Sequence, residues 1–168
     1  MNSVISIEGL NRLARNIENE FNHVNAGGCG VISYLVYEKL VDVCDNLRIV
    51  YLYSPWLDPR QDITSLCETN GSNIKLTDLH DNGYGCGHAL VLFDFEGETY
   101  SFETSEGVKP FKEHLDIGFW GTEYIEIPYD SAKAMAENQQ GWNTLFDRLQ
   151  IPRIKKTISM SELAEQAA

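Results

Sequence analysis

What this chain lacks narrows the reading first. No run of about 18 apolar residues occurs, so no membrane-crossing helix is expected. Basic residues are scarce: 13 Lys and Arg stand against 25 Asp and Glu, a net charge of -12 at pH 7. Without a basic stripe, binding to nucleic acid or to an anionic membrane surface is not expected. Cysteine is sparse, with residues 29, 44, 67 and 86 at spacings that form no disulfide framework. No C-x-x-C or H-x-x-x-H pair is present, so the common zinc spacings are missing. The first ten residues carry neither a basic segment nor a long apolar one, so no secretory signal is read there. The expectation is a cytoplasmic protein with free thiols. Repeats and low-complexity segments are absent too.

What is there centres on Asn25-Ala-Gly-Gly-Cys-Gly-Val-Ile-Ser33 and the apolar run that follows it to Cys44. A glycine pair before a long apolar segment reads as a loop entering a buried helix. Cys29 then lies in the first turn, where unpaired N–H groups and the positive end of the helix dipole favour a thiolate. A thiolate attacks carbonyl carbon, and such a nucleophile needs a base and a group to orient that base.

The rest of the chain is read around that helix. Ile7, Leu10, Leu13, Ala14, Ile17 and Phe21 recur at helical steps after a capping Ser6, which predicts an amphipathic helix to about Asn22. Arg48 to Ser54 reads as a strand. Residues 54–87 are rich in Pro, Gly, Asp and Asn, and are expected to form an irregular excursion with a weak strand at Asn73–Leu76. His88–Phe95 and Glu98–Glu103 read as a hairpin around Glu96-Gly97, and Thr122–Ile127 as a third strand. A short helical turn is expected at Pro110–Leu115. Helices are expected from Ser131 to about Glu137 and from about Gly141 to Leu149, stopping before Pro152. A weak helix at Ser159–Ala168 ends the chain.

The hairpin supplies the base. A two-residue loop at Glu96-Gly97 makes opposed residue numbers sum to 193, so Leu90 faces Glu103 and His88 lies diagonal to it on the same sheet face. Diagonal neighbours stand about 7–8 Å apart, within reach of long side chains. Leu90 and Leu92 share that face and are expected to pack on the Cys29 helix, which would bring Cys29 to His88. The roles then follow. His88 takes the thiol proton, Glu103 orients the imidazole, and the Cys29 N–H stabilises an oxyanion. Asn25 or His23 would add a second oxyanion donor.

These residues resemble the papain-like thiol hydrolases. Asn25–Ser33 before an apolar helix, His88 opening a strand and Phe102-Glu-Thr-Ser-Glu-Gly107 carry the likeness over about residues 25–107. The nearest in character are compact bacterial or phage members: bacteriocin-leader peptidases, cell-wall amidopeptidases and the transglutaminase-like core. The sequence departs from that pattern in two places. The upstream Gln is replaced by His23, with Asn25 nearby, and the third residue is Glu103 rather than Asp or Asn. The resemblance implies an α+β fold: a papain-like core with a buried Cys-bearing helix on a small antiparallel sheet, flanked by N- and C-terminal helices. It implies one domain over 1–168, with the core at about 25–130 and a helical segment at 131–168. It also implies a cysteine peptidase or amidase using Cys29, His88 and Glu103 on a peptide or protein substrate, with no cofactor. Gly28, Trp56 and Gly87 would then be candidates to bind substrate. Two alternatives stand beside this: an inactive or accessory binding relative, and a small zinc protein using Cys67, Cys86 and His88, with His80 near.

Overall fold

Alternating β-branched and aromatic residues build the scaffold that carries the candidate site. The computed structural model describes residues 5–53, 61–84, 86–117, 123–137 and 146–163. Five strands pair into one sheet: β1 (Asp45–Tyr53), β2 (Cys86–Phe95), β3 (Glu98–Glu103), β4 (Gly107–Pro110) and β5 (Glu123–Ile127). Their order is β4-β3-β2-β1-β5, and every neighbouring pair is antiparallel. Seven α-helices accompany it among the described residues: α1 (Ile7–Glu20), α2 (Cys29–Leu40), α3 (Ile63–Asn70), α4 (Leu76–Asp81), α5 (Phe111–Ile117), α6 (Tyr129–Glu137) and α7 (Ile151–Met160). The fold is therefore α+β. No helix among the described residues is long and apolar enough to cross a membrane.

The hairpin has the expected register. Phe95 opposes Glu98 and Val91 opposes Phe102, so paired numbers sum to 193. Glu96 (φ 50°) and Gly97 (φ 84°) both take the left-handed region, the tight turn that suits the twist of two strands. The same parity divides the sheet into two faces. Ile49, Tyr51, Ala89, Val91, Phe93 and Phe102 face the main core with α1, α2, α6 and α7. Val50, Leu52, Leu90 and Leu92 face a smaller cluster closed by Phe111 and Leu115 of α5. The expectation that Leu90 and Leu92 pack under the Cys29 helix is thus reversed, because α5 covers their face.

Several boundaries move for local reasons. The region after Tyr53 holds two short helices where a loop and a weak strand were expected. Asp62 caps α3 by accepting the N–H groups of Thr64 and Ser65, at 3.0 and 3.1 Å. The Asp78 carboxylate accepts the Lys75 N–H at 2.6 Å and starts α4. Ile74 and Leu79 anchor the segment in the core. Strand β4 was not anticipated; it pairs with β3, and the Asn11 side-chain oxygen accepts the Val108 N–H at 2.8 Å. Helix α6 begins at Tyr129, so Ser131 is a buried helical residue rather than its cap. Pro152 opens α7 instead of ending a helix, because a first-turn proline loses no hydrogen bond. Most of the helix expected at 141–149 falls outside the described residues; Arg148–Gln150 form a 3-10 turn. Helix α7, Ile151–Met160, was not expected; Ser161–Leu163 are not helical, and the rest of the helix expected at Ser159–Ala168 lies outside the described residues.

Candidate active site

Cys29 is the first residue of α2, after Gly28 in a helical conformation that offers no side-chain cap. No side chain of the N-cap residue therefore takes up a first-turn N–H group. Two glycines let it sit where it does. A Cβ on Gly28 would stand 2.3 Å from the Val24 carbonyl oxygen and 2.6 Å from the Phe146 ring, and one on Gly30 would stand 3.0 Å from the Tyr51 hydroxyl. The Phe146 N–H, donating to the Ala26 carbonyl at 3.1 Å, pins the loop from the other side.

His88 sits where the β1–β2 ladder slips, between the pairs Leu52–His88 and Tyr53–Cys86. Gly87 is the extra residue of this bulge, and bulges re-aim neighbouring side chains. Strand β2 also runs past the end of β3 here, since their pairing starts at Val91. Both the imidazole of His88 and the thiol of Cys29 reach this strand end, and they are hydrogen-bonded. The Ala89 and Gly30 N–H groups donate to the same sulfur. Cys29 and His88 meet beside the strand end, not across a shared sheet face.

Glu103 ends β3 and completes the group. Its Oε1 lies 3.2 Å from His88 Nε2, and both side chains are about 1% exposed. Ser105 Oγ and the Glu106 N–H donate to Oε2 at 2.9 and 2.6 Å. Asn25 Nδ2 donates to Oε1 at 2.8 Å.

The electrostatics are mutually supporting. For Cys29, burial opposes the charge, but the hydrogen bond and charge of His88 and the two backbone N–H groups outweigh it, so the thiol pKa is lowered. Burial also opposes charge on His88, yet its bonds to Cys29 and Glu103 and their negative charges raise it to about 9. Burial would raise Glu103, but His88, Glu106 and Ser105 bring it down to about 2. All three directions favour the charged forms of the thiol, the imidazole and the carboxyl group. The other described thiols differ: burial and Asp45 push Cys44 to about 11, and burial raises Cys67 despite its bond to Ser131.

The remaining predicted residues are placed elsewhere. Both N–H groups of the Asn25 amide are taken, by Glu103 and by Ser105 at 3.0 Å, so Asn25 is not placed as an oxyanion donor. His23 is exposed, with a positive φ of 57°. Gly28 is buried against Val24 and Phe146 instead of lining an open approach, whereas Gly87 is exposed. Trp56 lies outside the described residues. Of the residues named for zinc, Cys67 is hydrogen-bonded to Ser131 and His80 lies 3.5 Å from Asp81, while the side chain of Cys86 lies outside the described residues. Among the described residues no group of three or more His, Cys, Asp or Glu is placed to hold a metal ion.

No sequence pattern singles out His114. This buried histidine of α5 is in short contact with Ser101 Oγ through Nδ1. Burial first, then the charge of Lys109, lowers it to about 4 against the pull of Glu103 and Glu106. Ser101 donates its proton to the Lys109 carbonyl at 3.2 Å. The hydroxyl therefore accepts from His114 Nδ1–H, and Nε2 is left as a buried acceptor with no hydrogen-bond partner among the described residues.

Set against protein-family models, curated proteins and solved structures, the chain matches none of them. Its chemistry is read from the site alone.

Proposed function

We propose that the protein is a cysteine hydrolase of papain-like design, cleaving an amide or peptide bond through a thioester. The observation that carries this reading is one line of contacts. A thiol in the first turn of a buried helix is hydrogen-bonded to a histidine whose Nε2 is held by a buried carboxylate. With Nε2 on Glu103, Nδ1 is the ring nitrogen that serves the sulfur. The Cys29 thiolate attacks the carbonyl carbon, and the oxyanion forms beside the N–H groups of the first turn of α2. His88 then gives its proton to the leaving amine, the C–N bond breaks, and a thioester joins Cys29 to the acyl group. Neutral His88 next takes a proton from water, which attacks the thioester and releases the acid. Glu103 keeps the ring in one tautomer and balances its charge throughout.

A second reading, an inactive relative that only binds, is favoured by the narrow described surroundings of Cys29. The cavity that it lines with Ile32, Ser33, Ala89 and Phe102 is about 10 Å³, room for no more than one water. Acylation by a nitrophenyl ester separates the two. The hydrolase reading expects a stoichiometric burst of nitrophenol, acyl mass on Cys29 and slow turnover, all lost in Cys29→Ser and His88→Ala. Acyl transfer to Cys29 at the same rate in wild type and His88→Ala would end the reading.

A further inference from the structure

We propose that Asn25 is a positioning residue: its side-chain amide ties the loop that delivers Cys29 to the carboxylate that holds His88. The inference rests on the thiolate–imidazole reading above and adds a fourth residue to it. Asn25 lies four residues before the nucleophile and 78 before Glu103, so one side chain joins two otherwise separate parts of the site. An ionised carboxylate only accepts, so the amide nitrogen faces Glu103 and the amide oxygen faces the Thr104 hydroxyl, which donates to it at 3.0 Å. Nδ2 donates to Glu103 Oε1 at 2.8 Å, the same oxygen that stands 3.2 Å from His88 Nε2. Its second proton goes to Ser105 Oγ at 3.0 Å, and that hydroxyl donates on to Oε2 at 2.9 Å. The amide thus has each of its polar atoms engaged, and both carboxylate oxygens are fixed.

The choice of an amide matters chemically. It donates to Oε1 without bringing a charge that would compete with the imidazolium for the carboxylate. The groups already facing Glu103 are Glu18 of α1, His88 of β2 and His114 of α5. Glu18 is itself raised by burial first and by the Glu103 charge second. An Asp at position 25 would add a further carboxylate to this acidic side, weakening the hold on His88. Loss of the amide in Asn25→Ala frees the carboxylate to turn and the 21–28 loop to shift, lengthening the sulfur–imidazole contact.

The experiment is the pH profile of Cys29 alkylation by iodoacetamide in the full chain, with circular dichroism as the check on folding. Asn25→Ala is expected to slow alkylation at pH 6 by about fourfold and to move the profile upward, the size of one hydrogen bond to a charged group less the half regained by the stronger nucleophile. Asn25→Asp should move it further in the same direction. In a Glu103→Gln background, Asn25→Ala should add less than about twofold, because Asn25 acts through that carboxylate. Thr104→Val, which removes the donor to the amide oxygen, should give a smaller shift of the same sign and serves if Asn25→Ala does not fold. If wild-type Cys29 is reactive and neither Asn25→Ala nor Thr104→Val moves the profile, the role of Asn25 is overturned and the thiolate–imidazole pair stands. Equal effects of Asn25→Ala with and without Glu103→Gln overturn it as well. If wild-type Cys29 is no more reactive than Cys44, the pair falls and the role of Asn25 falls with it.

Discussion

The ordering of the thiols is the sharpest consequence of the site, and His88→Ala is the perturbation that isolates it. Cys44, at about 11, is a thiolate in only about one molecule in 10⁴ at pH 7. The thiol pKa of Cys29 is lowered by the hydrogen bond and charge of His88 and by two backbone donors, against its burial. A lower pKa also makes a weaker nucleophile, which returns about half of the logarithmic advantage. Cys29 is therefore expected to label faster than Cys44 at pH 7. In His88→Ala the burial that opposes the thiolate stays while the hydrogen bond and charge of the imidazolium go. Removing a hydrogen bond to a charged group together with its charge is worth about 3 kcal/mol in thiolate population, and with about half of that returned by the stronger nucleophile, Cys29 labelling should fall by about 10–20-fold at pH 7. Native protein is labelled with iodoacetamide from pH 5 to 9, and each cysteine is read by peptide mass spectrometry. Cys44 and Cys67 act as internal controls, since burial with Asp45 and burial with Ser131, not His88, set their shifts. Labelling of Cys29 at the rate of Cys44, or a profile unchanged in His88→Ala, would refute the reasoning.

Three further outcomes follow from the same geometry. Stability should fall as pH drops from 6.5 towards 4, because the unfolded chain protonates His114 at its ordinary value while the folded chain does so near 4; this costs about 3 kcal/mol, and thermal melts of wild type and His114→Gln should converge once it is removed. The His88–Glu103 pair acts at the two ends of the scale. With His88 at about 9 when folded against 6.5 unfolded, its contribution is complete below pH 6.5 and lost as pH rises through 9. Glu103, at about 2 against 4.5, contributes above pH 4.5 and loses that as pH falls through 2. Glu103→Gln should therefore flatten the alkaline limb of a melt-against-pH curve, and an unchanged limb would count against the pair. Gly28→Ala should destabilise by about 1–3 kcal/mol in urea melts and slow Cys29 labelling, because its Cβ meets the Val24 carbonyl and the Phe146 ring; a variant with wild-type stability would contradict that close approach.

The parts of this site that could be read from sequence are those fixed by local chemistry. Glu96-Gly97 permits one tight turn, and that turn alone sets the β2–β3 register which carries His88 and Glu103 to one end of the sheet. Ser6 caps α1 by accepting the Gly9 N–H at 3.0 Å, as its position before an amphipathic run implies. The face that each helix covers was not legible, because Leu90 and Ala89 are both apolar and parity does not say which of them meets α2. Helices α3 and α4 were hidden because Asp62 and Asp78 look like loop residues until their carboxylates are seen to cap N–H groups. Asn25 was read as an oxyanion donor because it precedes Cys29; its true partner is 78 residues away, and no local pattern points there. His114 carried no signal, since its role depends on Ser101 of a different strand.

The location of the thiolate is set against the charge of the chain as a whole. A net charge of -12 disfavours one more anion anywhere on the molecule, and Glu18 and Glu103 concentrate acid on one side of the site. A low thiol pKa in such a chain cannot come from a general positive field. It comes from groups in contact with the sulfur: His88, and the N–H groups of Gly30 and Ala89. Glu103 serves this arrangement because it is kept off the sulfur. Asn25, Ser105 and the Glu106 N–H hold its two oxygens, and its charge reaches Cys29 as a raised basicity of His88. The same carboxylate in contact with the thiol would raise its pKa instead of lowering it, as Asp45 does for Cys44. The hydrogen bonds that fix the carboxylate are therefore as much a part of the nucleophile's chemistry as the imidazole itself.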